Sequence, residues 1–410
     1  MKTVTILAIF FLLVPGAVMA ASGAGAINMT FNTSARFNGM GNTGNAVTWD
    51  QETNHWANPA VMAYRPGIHY RSYESQLAVG LADDIWISNK ELTLGAYGVT
   101  LLLAKGPLEG NYLDMGAQEG TDENGESTGT FNSYMETQSW GLAADGVQIM
   151  EYILKKDPGV WSRYVGLAGG MVWHDFKDQL APDSYIQDLG GSAGAEGSCK
   201  SMGYSLQLTY GDLSRGGGLL NNGVLGLYGG AAYGASVQNK ADDMIKHLGA
   251  DQDDPYPRAY RSGWAYTAQI TLADNLRESL NKAGFGFLGD MINPLLSYTR
   301  AEDLSEPGYI WTGDDYEYEH DTRGLFDEKG RGWEIGIANI FFIREGHFTA
   351  TYADVDDKAE GGGWKIQAGR LGGFRKDWAD IPQASGLPTR RTTGWSVWVD
   401  PLAIKETFFD

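Results

Sequence analysis

Six histidines are the first residues to weigh for chemistry: His55, His69, His174, His247, His320 and His347. No two stand four apart, and the single Cys199 makes no Cys-x-x-Cys pair. Zinc sites draw on such close pairs, so neither a metal nor a cofactor is expected. The stretch DENGES (122–127) carries a fragment of a calcium loop but lacks the alternating acids and distal glutamate of the full motif. Two acidic clusters, Asp251/Asp253/Asp254 and Asp314/Asp315/Glu317/Glu319, read as solvated loops, with surface binding of a divalent cation as the alternative. No Gly-x-Ser-x-Gly elbow or phosphate loop is present. Ser139 and Ser214 have acids nearby, but no partner spacing marks a triad. The chemistry-bearing residues therefore point away from an enzyme.

The remaining evidence is architectural. Residues 1–20 place Lys2 before an apolar run, a Pro15-Gly16 break and small residues at Ala20-Ala21. That is the layout of a secretory signal peptide cleaved after Ala20. The apolar run is shorter than the ~20 residues of a spanning helix. Removing Lys2 leaves 30 basic and 51 acidic residues, a formal charge of 30 − 51 = −21. An acidic chain of this kind is not a nucleic-acid binder, which needs a basic surface. One cysteine allows no internal disulfide. The chain is rich in glycine (56) and aromatics (13 Trp, 21 Tyr, 15 Phe). This suits curved sheets bordered by aromatic girdles.

Period two dominates the middle of the chain. In 204–210, Tyr204, Leu206, Leu208 and Tyr210 alternate with Ser205, Gln207 and Thr209. In 264–272, Trp264, Tyr266, Ala268, Ile270 and Leu272 alternate with Ala265, Thr267, Gln269 and Thr271. Residues 224–237 repeat the pattern against a mostly small face. Further strands are expected at 67–77, 91–105, 134–143, 163–175, 295–301, 333–338, 342–354, 363–371 and 392–399. Alternate side chains point to opposite faces of a strand. A soluble sheet would bury the apolar face; a membrane barrel turns it to lipid. Strands beyond nine residues, aromatics at strand ends, and short connections (337–341) alternating with long polar ones favour the barrel. Residues 110–130, 188–198, 240–260 and 305–330 read as long acidic loops. Residues 145–156 and 273–284 read as helical insertions. The expected fold class is all-β, a transmembrane antiparallel β-barrel of roughly 14 strands.

One segment does not fit a strand. GMGNTGNAVTWDQETNHWANPAVMAY (39–64) combines glycines, Trp49, Trp56 and an Asn-Pro-Ala step. Gly39-Met40-Gly41, then Asp50, then Asn58-Pro59-Ala60, resembles the N-terminal signature of FadL-like outer-membrane barrels and their PorV/PorQ-type relatives. Residues 332–382 resemble the closing region of PorV/PorQ-type proteins, at Asn339, Arg344, Gly346, Gly369 and Asp377. The two matches span about a quarter of the chain. The terminal Asp410, after Phe408-Phe409, departs from the aromatic end common in such barrels.

The resemblance implies an outer-membrane location in a Gram-negative-type bacterium and an N-terminal plug over 21–65, with the barrel over 66–410. It further implies association with type IX protein secretion and surface presentation of cargo, with secretion-apparatus or cargo proteins as partners beside outer-membrane lipid. The alternatives are a FadL-like channel that passes hydrophobic small molecules past the plug and out through a gap in the wall, and a soluble secreted β protein. The residues agree with a plug. A polar barrel interior can satisfy irregular backbone, and the Trp49 and Trp56 indoles would need partners there. Arg344 reads as a register-fixing ion pair with an acid on an adjacent strand. The alternative is a lumen-facing cation that holds the plug or a ligand carboxylate.

Overall fold

The alternating segments pair into one antiparallel sheet that closes on itself in the computed structural model. The described residues are 26–408, apart from 51, 53, 78, 80–84, 122–126, 180–193, 211–224, 239–243, 248–252, 257–258, 284–285, 308–327, 351–353 and 384–386. The signal peptide expected at 1–20 lies outside them. The strands are β1 (Gly67–Gln76), β2 (Trp86–Ala96), β3 (Val99–Ala104), β4 (Gly110–Thr121), β5 (Ser127–Asp145), β6 (Val165–Gln179), β7 (Ala195–Tyr210) and β8 (Leu225–Gln238). There follow β9 (Met244–His247), β10 (Asp253–Pro255), β11 (Ala259–Leu272), β12 (Leu296–Pro307), β13 (Glu328–Ile337), β14 (Phe341–Ala350), β15 (Val355–Gln367), β16 (Gly372–Ile381) and β17 (Arg390–Val399).

Strands β3 and β4 each pair with both β2 and β5, so together they form one interrupted strand of the wall. β9 and β10 are a small hairpin resting on the far end of β7, while β8 pairs directly with β11. β1 closes the ring against β17, from Ile68 opposite Val399 to Ser75 opposite Thr392. The wall is a closed barrel of 14 strands.

The alternation has the inverse polarity of a soluble core. Along β11, Trp264, Tyr266 and Ile270 are exposed, while Ala265, Thr267 and Thr271 are buried. On β17, Trp395, Val397 and Val399 are exposed and Thr392 and Ser396 are buried. A closed ring leaves no sheet edge unpaired in lipid, and an apolar outside over a polar inside is the outer-membrane arrangement. The chain is an outer-membrane β-barrel, which displaces the soluble alternative. The tight turns at 97–98, 338–340 and 368–371 share one end with Gly67 and Val399, and short turns of this kind lie on the periplasmic side.

Several expected boundaries move. The strand expected over 91–105 is two, β2 and β3, joined by Tyr97 and Gly98, both at positive φ (54° and 80°). The turn was hidden because the flanking residues stay apolar. Most of the loop expected at 110–130 is strand, in β4 and the start of β5. Its outward face shows no lipid-like alternation, so hydropathy does not mark it. β16, KDWAD included, carries charges on both faces and is a strand all the same. Of the other expected loops, 195–198 belong to β7 and 240–260 contain the β9–β10 hairpin, while most of 305–330 lies outside the described residues. So do Asp251 and the acidic cluster at 314–319. The helical insertions are present as a short α and π turn over 146–153 and a helix over Asp274–Lys282.

Candidate functional site

Residues 26–65 run among the inward faces of the strands, and nearly all their described side chains are buried. The Gly39-Met40-Gly41 step lies against glycines of three successive strands. A Cβ on Gly332 or Gly346 would overlap the Met40 and Gly41 backbone, and one on Gly39 would come within 3.1 Å of Gly361 Cα. Gly41 itself sits at φ +74°, where a Cβ would meet the His347 carbonyl at 2.5 Å. Backbone thus packs on backbone, which a side chain on either side would prevent.

Asn58 is held from both directions. Its Oδ1 accepts from Ala60 N at 3.0 Å and caps the 3-10 turn Pro59–Tyr64, with Pro59 in the first position. Its Nδ2 donates to Asn45 O at 2.9 Å and to Tyr204 O, on β7, at 3.0 Å. Asn45 donates in turn to Gly234 O at 2.7 Å. Trp49 Nε1 donates to Thr299 Oγ1 on β12 at 2.9 Å. Trp56 stacks on His174 with ring centroids 5.1 Å apart, and its indole nitrogen has no hydrogen-bond partner among the described residues.

Asp50 leads to the largest charged cluster of the lumen among the described residues. Its Oδ1 accepts from Lys365 Nζ at 2.8 Å, and its Oδ2 pairs with Arg375. Burial favours the protonated carboxyl, but Lys365, Arg375 and Arg36 outweigh it and hold Asp50 well below the usual carboxylate range. Arg375 Nε donates to Asp377 Oδ2 at 2.7 Å, and its Nη2 to Glu334 Oε2 at 3.2 Å. Arg36 Nη2 donates to Glu334 Oε1 at 2.7 Å. Glu52 accepts from Tyr73 Oη at 2.9 Å and lies 3.7 Å from Arg375.

Arg344 completes the cluster. Its Nε donates to Glu334 Oε2 at 2.7 Å, directly across the β13–β14 ladder, and its Nη2 lies 2.6 Å from Asp377 Oδ1. It is therefore both a cross-strand ion pair and a lumen-facing cation. Four cations (Arg36, Arg344, Lys365, Arg375) meet four carboxylates (Asp50, Glu52, Glu334, Asp377), all buried or nearly so. Buried charges persist only when matched in this way. The sequence reading singled out Asp50, Asp377 and Arg344 but missed Arg36, Glu52, Glu334, Lys365 and Arg375. For Glu334, Lys365 and Arg375 the signal is charge at inward positions of β13, β15 and β16. Asn339 and Gly369 lie in the tight turns, both at positive φ (54° and 55°), and touch none of this.

At the outer end the lumen opens into a cavity of about 400 Å³. Its walls come from Leu77, Ile85, Leu113, Met115, Phe348 and Ile381, with Val355 and Leu387 beside them. Phe31, Asn32, Asn38 and Asn42 of the N-terminal segment form its floor. Arg390, whose guanidinium lies 5.1 Å from the centroid of the Phe31 ring, adds a cation at the rim. The volume falls in the range of small-molecule sites, and apolar walls with a few polar groups are their usual make-up.

No protein-family model matches the sequence, and no curated protein does either. Among solved structures, the chain is similar to the Ralstonia pickettii toluene transporter TbuX, at 10% identity and a TM-score of 0.37, covering 90% of this chain and 98% of that one. It is also similar to the CymD monoaromatic hydrocarbon channel, at 10% identity and a TM-score of 0.40, covering 90% and 97%. A Pseudomonas aeruginosa FadL homologue is similar at 9% identity and a TM-score of 0.37, covering 94% and 100%. Likeness at this level carries no argument about cargo, which has to come from the cavity itself.

Among the described residues the wall is interrupted between β3 and β4. Lys105–Glu109 leave the ladder between β3 and β4 and stand on the outer surface. Two ion pairs lie across the break, one from Lys105 to Asp175 at 2.9 Å and one between Lys90 and Glu109.

Proposed function

We propose that the chain is a non-enzymatic channel that admits hydrophobic small molecules from outside the cell, with residues 26–65 as its plug. The observation that carries this reading is the apolar cavity at the outer end, floored by the N-terminal segment. A molecule entering there exchanges water for Leu113, Met115, Phe348 and Ile381, a gain of about 25 cal/mol per Å² of apolar surface buried. The asparagines of the floor and Arg390 supply polar groups to orient an amphiphile. Onward passage requires the segment beneath to shift, because it fills the lumen and is held by the charged cluster. No described residue adds an observation for the secretion role that the motif resemblance implies, so the channel takes precedence over the PorV/PorQ-like reading.

The test is uptake of labelled toluene and a labelled long-chain fatty acid by cells lacking their own hydrophobic channels. Ile381→Asp and Phe348→Asp each place a carboxylate in the cavity wall. Each is expected to lower uptake by about tenfold, the effect of roughly 1.4 kcal/mol of lost binding, while the barrel still assembles. Unchanged uptake in both variants would remove the cavity from the route.

A further inference from the structure

The lipid-facing wall of β3, β5 and β6 runs down to the periplasmic end on apolar side chains. On β3 the outward residues Val99, Leu101 and Leu103 are followed at once by the exposed Lys105, which pairs with Asp175 of β6. On β5 and β6 the stacked Trp140 and Trp173, with ring centroids 4.1 Å apart, stand just below that charge level.

The connection between β5 and β6 continues that surface beyond the strand ends. Asp145 starts the turn, its Oδ1 accepting from Val147 N at 2.9 Å, and the chain runs through a π turn at Ile149–Ile153. The connection is joined to the β2–β3 turn. Asp145 N donates to Gly98 O at 2.7 Å, and Tyr152 packs against Tyr97 with ring centroids 5.9 Å apart. Ile153 and Leu154 are 52% and 53% exposed, more than Leu142 (46%) on the lipid-facing wall itself. Tyr97, Tyr152, Trp161 and Tyr164 are exposed beside them. The next two residues, Lys155 and Lys156, are exposed cations. A turn with aliphatic side chains, ringed by Tyr and Trp and followed by lysines, has the make-up of a segment lying in a membrane interface.

We propose that residues 149–164 form a lipid-embedded foot that extends the barrel wall below β3, β5 and β6. Ile153, Leu154 and Trp161 lie among the acyl chains of the inner leaflet, and Lys155 and Lys156 reach back to phospholipid phosphates. The surface is continuous with the lipid-facing wall through Tyr97 and Leu142, so one solvent covers both. The foot anchors the barrel's depth and tilt on the side of the interrupted strand.

Spin labels at Ile153→Cys and, separately, Leu154→Cys in a Cys199→Ser background, reconstituted in phosphatidylethanolamine/phosphatidylglycerol vesicles, test this. Leu142→Cys serves as the lipid reference and Lys358→Cys as the water reference. Both foot labels are expected to collide more often with oxygen than with a water-soluble nickel chelate, as at position 142. Collision dominated by the nickel chelate, as at position 358, would overturn the proposal and leave the patch for a periplasmic protein. In a second measurement, Lys155→Gln/Lys156→Gln is expected to lose several-fold of the phosphatidylglycerol retained on the native chain by mass spectrometry. Retention equal to the native chain would remove the lysines from the lipid contact.

Discussion

Replacing Arg375 with methionine is expected to release the N-terminal segment without unravelling the barrel. Arg375 is fully buried and touches Asp50, Glu334 and Asp377, with Glu52 a little farther off. Its guanidinium also lies 4.4 Å from the Phe342 ring centroid. Removing one partner from a buried, matched set leaves acids without a counter-charge, at a cost of about 3–5 kcal/mol. The β15–β16 and β16–β17 ladders are backbone pairings and do not depend on this side chain. The strain therefore falls on the contacts of the segment, through Asp50 and Glu52. In planar bilayers the variant is expected to show frequent openings that the native chain lacks, with the barrel still shifting on heating in gels. Closed recordings together with native thermal stability would show that the cluster does not hold the segment.

Deleting residues 38–60 is expected to have the larger effect on conductance. That stretch contains the Gly39-Met40-Gly41 contact with β13–β15, Asp50, and the Asn45 and Asn58 bonds to β7 and β8. A polar lumen freed of its filling conducts ions, as in barrels with an aqueous channel. Conductance roughly tenfold or more above the native chain is expected. A deletion that assembles and conducts no more than the native chain would mean that another segment closes the lumen.

The fold was legible because the lipid-facing side chains of strands such as β7, β8 and β11 obey a simple alternation. Solvent chemistry is written there residue by residue. It was less legible where the wall rises above lipid, as in β4, because water asks nothing regular of an outward face. It was least legible in β16, where Lys376 and Asp380 face out while Arg375 and Asp377 face in. The tight turn at Tyr97-Gly98 escaped notice because apolar residues continue on both sides.

The Gly39–Ala60 stretch stood out through its glycines and its Asn-Pro-Ala step, but its partners did not. Glu334 and Arg375 are 41 residues apart and meet Arg36 and Asp50 only once the ring has closed. Nothing local in the sequence records that meeting. The cavity was likewise invisible: Leu113, Phe348 and Ile381 come from three separate strands, and Phe31 from the segment beneath. The acidic connections drew attention to charge at the outer end, whereas most of the side chains walling the cavity there are apolar.

The central claim is that apolar cargo enters through this cavity. A crystal of the detergent-purified chain soaked with a bromoalkylbenzene, measured at the bromine absorption edge, tests it most directly. An anomalous peak between Leu113, Phe348 and Ile381, above the Phe31 floor, is the predicted result. A soaked crystal with no bromine there, in a chain that still takes the compound up, would contradict the account and place the route elsewhere.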